Sequence, residues 1–221
     1  MGGPGIERER AREESLRGLL EAERQAAGQM VGLSPEAAEL ARRGAFVGSR
    51  IYCHRRLVRA MDEARSLVAR AESEGRDAYS GTVVIARELT GGRGRMGRTW
   101  YSPPGGLYLA LLIAPEALPR RFGLYPLAAG VAACATLRHY LPQARLKWVN
   151  DVHVAGRKLC GLLAESYHSA RFRQEYLLLG VGLNANITSF PAELDGLATS
   201  LALELGGEVD LDRLGARLIH Q

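Results

Sequence analysis

Several strand-like runs crowd the stretch from Arg145 to Ile187, and they constrain the fold of this chain more than any other feature. RLKWVNDVHVAGRKLCGLLAES (Arg145 to Ser166) reads as two or three strands with a turn at Ala155-Gly156. YLLLGVGLNANI (Tyr176 to Ile187) reads as a further strand that leads into an Asn-rich turn. A parallel neighbour needs a crossover of about a dozen residues or more, usually a helix. No crossover helix of that length fits between these strands, so a doubly wound parallel sheet is disfavoured.

FVGSRIYCH (Phe46 to His54), GTVVIA (Gly81 to Ala86) and GLYLALLIAP (Gly106 to Pro115) add strand candidates rich in β-branched and large apolar residues. Between them MDEARSLVARAES (Met61 to Ser73) places Ala64, Leu67, Val68 and Ala71 on one helical face. LYPLAAGVAACATLRHYL (Leu124 to Leu141) reads as a core helix, and the segment from Pro191 onward as one or two more. The expected fold is α/β of the α+β type: a mixed, largely antiparallel sheet flanked by helices. Residues 1–32 are expected to form a charged helical extension, solvated or loosely docked, and residues 33–221 the main domain. LSPEAAELARR adds a helix start, with Ser34 as cap and Pro35 at the first helical position.

The 221 residues hold 47% hydrophobic side chains, enough for one sizeable core, and a net charge of +5 that permits nucleic-acid contact without demanding it. Cys53, Cys134 and Cys160 are odd in number and form no CxxC, which fits a reducing compartment. The five histidines show no zinc-ligand spacing. No run is long and apolar enough for a membrane span, and the charged N-terminal segment does not resemble a signal peptide. A cytoplasmic protein is expected. Lys147 and Lys158 are the only lysines among 29 Lys and Arg residues.

Three strings carry the chemistry. GGRGRMGRTWYSPPGG (Gly91 to Gly106) sets Arg93, Arg95 and Arg98 among glycines. It matches a dinucleotide fingerprint loosely, but Arg93 and Arg95 crowd the turn and TWYSPPGG cannot continue a helix. A loop that closes over an anion fits better, because backbone N–H groups and guanidinium forks both suit phosphate. Trp100 would then pack on an apolar ligand body or anchor the loop base. KWVND puts Asn150 and Asp151 at the end of a strand, where they can hold a nucleotide or a phosphate-bound Mg²⁺. GRKLCGLLAE supplies Lys158 on the next strand, so that Lys147 and Lys158 could face one polyanion. GVGLNAN (Gly180 to Asn186) adds small residues where backbone can meet a ligand.

In this order the strings resemble the biotin–protein ligase family, whose patterns run close to GRGRxGRxWxSPxGG, KWPND, K-x-x-G-I-L and GIGINVN. The resemblance is sharpest from Val83 to Asn186. It implies formation of biotinyl-5'-AMP from biotin and ATP with Mg²⁺, then transfer of biotin to a lysine of a biotin carboxyl carrier protein. It implies roles for Lys158, Arg93 and Arg95 in catalysis and for Asp151 at the metal. It further implies ligand contacts from Thr90, Gly92, Gly94, Gly97, Arg98, Trp100, Lys147, Asn150, Gly161, Leu162 and Asn184. A homodimer is a further expectation from the family. Neither a DNA-binding domain nor the family's C-terminal β-rich domain is expected within these residues. Arg59 and Ala60 stand where the family carries a Ser-Thr pair, and Leu89 where it carries a Gln, so three polar contacts to the acid's head are missing. An inactive relative that binds an acyl-adenylate or carrier, a lipoate or other acyl ligase, and a nucleic-acid module are the alternatives. The last is disfavoured because the arginines are spread along the chain.

Overall fold

A computed structural model describes residues 4–28, 47–114, 122–169, 171 and 173–221. Its centre is a seven-stranded sheet in the order β1-β2-β3-β7-β6-β5-β4. The strands are β1 (Arg50–His54), β2 (Thr82–Ala86), β3 (Leu107–Ile113), β4 (Arg145–Lys147), β5 (Asp151–Val154), β6 (Arg157–Ser169) and β7 (Gln174–Leu183). Only β1 and β2 run parallel, joined by the crossover helix α2 (Ala60–Ser73); the other five pairings are antiparallel. The mixed, largely antiparallel sheet flanked by helices is therefore the observed class.

Both faces of the sheet are covered, which explains why β2 is buried at every position. Val83 and Ile85 point to one side, with Leu107 and Leu109 of β3. There they meet α3 (Tyr125–Arg138) through Ala133 and Leu137, and α5 (Leu211–His220) through Leu214 and Ile219. Val84, Ala110 and Leu112 point to the other side and meet Ala64, Val68 and Ala71 of α2. A short α4 (Leu201–Leu205), capped by Ser200, precedes α5. No helix among the described residues is long and apolar enough to cross a membrane.

The β5–β6 turn falls at Ala155-Gly156, where both residues adopt positive φ (48° and 80°), the twist a two-residue hairpin requires. The strand expected to begin at Phe46 begins at Arg50 instead, after a turn in which Gly48 (φ 81°) bonds Gly81. Phe46 and the helix expected near Ser34 lie outside the described residues.

The N-terminal helix α1 (Pro4–Gly28) corrects the expectation of a solvated or loosely docked segment. Leu16 and Leu20 are completely buried against β1 and α5. Its charged residues also reach the body of the fold. Glu13 accepts from the Cys53 amide at 3.0 Å, Glu9 from the Arg55 amide at 3.1 Å, and Glu23 pairs with Arg217 at 2.8 Å. The Leu20 side chain occupies the space that a Cβ on Gly48 would need. Replacing Leu20 with Ala is expected to cost about 2–4 kcal/mol. Urea unfolding would show this as a lower midpoint at unchanged slope; an unmoved midpoint would make the helix peripheral.

Candidate functional site

The arginine–glycine segment is a small hairpin arm with a fixed base. Its first half is tied to the residues before α2: the Thr90 amide bonds the Leu57 carbonyl and the Gly91 amide the Val58 carbonyl, each at 3.0 Å. Its two sides are tied to each other by Trp100 N–H to the Gly92 carbonyl at 2.9 Å and Gly94 N–H to the Arg98 carbonyl at 2.8 Å. Glycine is required at 92, because a Cβ there would stand 2.3 Å from Ser102 Oγ and 2.6 Å from the Trp100 carbonyl oxygen. The tip turns at Met96 and Gly97, both at positive φ, and leaves Arg93, Arg95 and Arg98 exposed.

Trp100 lies on a floor that two glycines create. Gly161 of β6 and Gly182 of β7 are register partners. A Cβ on Gly182 would be 2.5 Å from the indole Nε1, and one on Gly161 would be 3.0 Å from the ring. The space left by the two missing side chains is the space the indole fills.

Lys158 enters the same space by a different route. A bulge between Val152 and His153 shifts the β5–β6 register, so Asp151 faces Gly161 while Lys158 faces His153. Bulges re-aim side chains; here the Lys158 ammonium swings over Gly161, 3.1 Å from where a Cβ would be. It pairs with Asp151 Oδ1 at 2.8 Å and sits 5.0 Å from the Trp100 ring centre, a cation–π distance. The Lys158 backbone is held by Leu197 and Thr199, at 2.8 and 2.9 Å. The Asn184 amide donates to the Thr199 carbonyl at 3.0 Å and the Lys158 carbonyl at 3.4 Å, which fixes the start of β6.

Asn150 joins the arm to the sheet. Its Oδ1 accepts from Arg95 Nη1 at 3.3 Å, and its Nδ2 donates to the Leu162 carbonyl at 2.5 Å. One amide thus reads both the arm tip and β6.

These parts enclose a cleft of about 620 Å³ on the α2 side of β6 and β7. Of the residues expected to bind or act, Arg93, Gly94, Arg95, Arg98, Trp100, Asn150, Asp151, Lys158, Gly161, Leu162 and Asn184 line it. Thr90, Gly92, Gly97 and Lys147 do not. Thr90 and Gly92 serve the base of the arm, and Gly97 its tip. The expectation that Lys147 and Lys158 sit on neighbouring strands is corrected, since β5 lies between β4 and β6. Asp151 begins β5 rather than following a strand end, because the chain turns tightly over Trp148–Asn150. Lys147 is exposed at the end of the edge strand.

Sequence reasoning missed the far wall, where Tyr101 and Phe190 meet with ring centres 6.0 Å apart. Phe190 follows GVGLNAN closely, and an aromatic placed just after a glycine strand was the available signal. The end remote from Lys158 is formed by Arg59, Ala60, Met61, Leu89 and Leu163.

All three thiols are buried. Burial, then the Glu13 carboxylate, pushes Cys53 up to about 12, and burial holds Cys160 far above its ordinary value. Among the described residues no cluster of three or more His, Cys, Asp or Glu could hold a metal on its own. The arrangement offers cations, a carboxylate and an apolar trough, which suit the positioning of anions.

The profile of the biotin/lipoate A/B protein ligase family matches residues 63–184. The chain is 34% identical over 143 residues to the bifunctional ligase/repressor BirA of Bacillus subtilis, covering 63% of this chain and 44% of that protein. It is 40% identical over 162 residues to the biotin–[acetyl-CoA-carboxylase] ligase of Mycobacterium tuberculosis, covering 70% and 57%. It thus spans less than half the length of the first relative and little more than half of the second. Among solved structures, the Aquifex aeolicus biotin protein ligase in complex with biotin and ATP superposes with a TM-score of 0.64 at 27% identity, covering 77% of this chain and 67% of that one. The Leishmania major biotin protein ligase with biotinyl-5-AMP gives 0.62, also at 27% identity, covering 76% and 71%.

Proposed function

The chain belongs to the biotin/lipoate A/B protein ligase family, and from that premise we propose that it is an ATP-dependent biotin–protein ligase. It forms biotinyl-5'-AMP and passes biotin to a lysine of a biotin carboxyl carrier protein. One observation carries this reading. The Lys158 ammonium is held by Asp151 at 2.8 Å, above a glycine floor, where an apolar trough meets an arginine arm.

The first step joins two anions. A carboxylate oxygen bonds to the α-phosphorus while the bond to the β-phosphate breaks and pyrophosphate leaves. Two unit charges about 4 Å apart interact by roughly 4 kcal/mol at an effective dielectric of 20. A cation between them offsets that repulsion. A compact ammonium with three donors can touch both reactants and then the phosphoryl oxygens. Arg93, Arg95 and Arg98 on the arm then neutralise the remaining phosphate charge. Mg²⁺ arriving with ATP needs only one or two protein carboxylates beside the phosphates, and Asp151 fits that donor count. In the second step the carrier lysine attacks the acyl carbon and AMP departs with the electron pair of the broken C–O bond.

Mass spectrometry of a biotin carboxyl carrier domain incubated with the chain, ATP, Mg²⁺ and biotin tests the reading. A biotinyl adduct on one lysine is expected. An adduct with lipoate in place of biotin, and none with biotin, would move the activity to another acyl acid.

No thiol takes part in this chemistry. All three thiols are buried, and burial raises Cys53 and Cys160 well above the ordinary thiol range, so little reactive thiolate is exposed at pH 8. Treating the native protein with iodoacetamide at that pH is therefore expected to leave biotin transfer unchanged. Loss of transfer in step with a single alkylation would contradict a mechanism without a covalent enzyme intermediate.

A further inference from the structure

The end of the cleft remote from Lys158 is built around a charged group that the chemistry above does not use. Arg59, at the N-terminus of α2, lines the cleft beside Ala60, Met61, Leu89 and Leu163, none of which has a polar side-chain atom. Its side chain is only 19% exposed. Nη1 donates to Asp62 Oδ1 at 3.3 Å and Nη2 to Glu165 Oε1 at 3.4 Å. Arg65 bonds the same two carboxylates, Asp62 at 2.5 Å and Glu165 closely through Nη2. Two guanidinium groups and two carboxylates make a charge-balanced quartet.

The position of the quartet sets a length. Glu165 lies on the same face of β6 as Gly161, over which the Lys158 ammonium rests. Four residues of strand span about 13 Å. A ligand with its carboxylate at Lys158 therefore brings its other end to Arg59, after crossing an apolar trough. A guanidinium has five N–H donors, and the two bonds above leave others free to turn toward the cleft. Because Asp62 and Glu165 already balance the charge, a second carboxylate gains little there. A dipolar acceptor such as a carbonyl oxygen gains a charge-assisted hydrogen bond.

We infer that Arg59 is a specificity-determining residue: it donates to a carbonyl oxygen at the far end of a monocarboxylic acid with an apolar middle. Asp62, Arg65 and Glu165 hold its guanidinium in place for this. The inference rests on the biotin reading, since the cyclic urea of biotin is a head of this kind. It also supplies a polar contact at an end of the cleft where Ala60 and Leu89 offer none.

The test measures equilibrium binding of biotin and of 2-iminobiotin to the full chain, at a pH where the guanidine of the second ligand is protonated. That ligand presents donors where biotin presents an acceptor, so the native chain should prefer biotin by about tenfold or more. Arg59→Met keeps the packing stem and removes the donors. It is expected to weaken biotin by about tenfold and to bring the biotin-to-iminobiotin ratio near one. Arg59→Met also leaves the quartet one positive charge short, which by itself favours the cationic ligand, so the biotin arm decides: undiminished affinity for biotin, or an unchanged ratio, overturns the inference while the ligase reading stands. Should Arg59→Met fail to fold, Arg59→Lys carries the same comparison: it keeps the charge and loses the fork, and the ratio is expected to fall. A native chain that binds no biotin overturns the ligase reading, and this inference with it.

Discussion

Lys158→Ala is expected to slow adenylate formation by about 10²–10³-fold, roughly 3–4 kcal/mol of transition-state stabilisation. The loss has two parts. The cation between carboxylate and α-phosphate disappears, and Asp151, the carboxylate suited to Mg²⁺, loses the partner that holds it at 2.8 Å. Adding Asp151→Asn to the lysine variant should therefore recover nothing, because it removes the metal-binding carboxylate as well. Lys158→Arg should recover little, since a planar fork does not fit the point above Gly161 that an ammonium occupies. Single-turnover measurement of labelled adenylate separates these cases. A Lys158→Ala variant with native rates would remove the residue from the mechanism.

The second large effect is expected at Gly182. A Cβ there would stand 2.5 Å from the Trp100 Nε1 and 2.7 Å from Cε2. The Trp100 backbone is held, because its amide and carbonyl are both bonded within the base of the arm, so the ring itself must give way toward the cleft. Gly182→Val should thus lift the ring off the floor and separate it from Lys158. Valine suits a strand better than glycine does, so the sheet itself should persist. The predicted result is a loss of biotin affinity of about tenfold or more, the scale of a displaced aromatic contact. Near-native thermal unfolding should accompany it. Fluorescence gives an independent reading: Trp148 is already 77% exposed, so a red shift in the variant would report Trp100. Native affinity with an unshifted spectrum would show that the glycine floor does not position the indole.

Much of the fold and of the cleft's lining is legible in the sequence. The hairpin at Ala155-Gly156 announces itself through turn chemistry, and the short spacing between strand runs forbids parallel crossovers there. The Gly161 and Gly182 strings advertise close approach, which the Trp100 contact explains. The remainder was hidden for identifiable reasons. The turn over Trp148–Asn150 carries no Gly or Pro, so KWVND reads as one strand running to its end, and the two lysines read as neighbours. The helix α1 docks through the leucine pair at 16 and 20, the Glu23–Arg217 ion pair and two carboxylates that accept from backbone amides, too narrow a stripe to stand out in a charged segment. The quartet of Arg59, Asp62, Arg65 and Glu165 spans a hundred residues of sequence and no local pattern foretells it.

In the proposed mechanism the acid and ATP react on this chain before any carrier arrives. Exchange of labelled pyrophosphate into ATP, measured with biotin present and carrier absent, tests it most directly. Exchange that requires biotin and is lost in Lys158→Ala is the predicted result. No exchange with biotin, or exchange that proceeds equally without any acid, would contradict it.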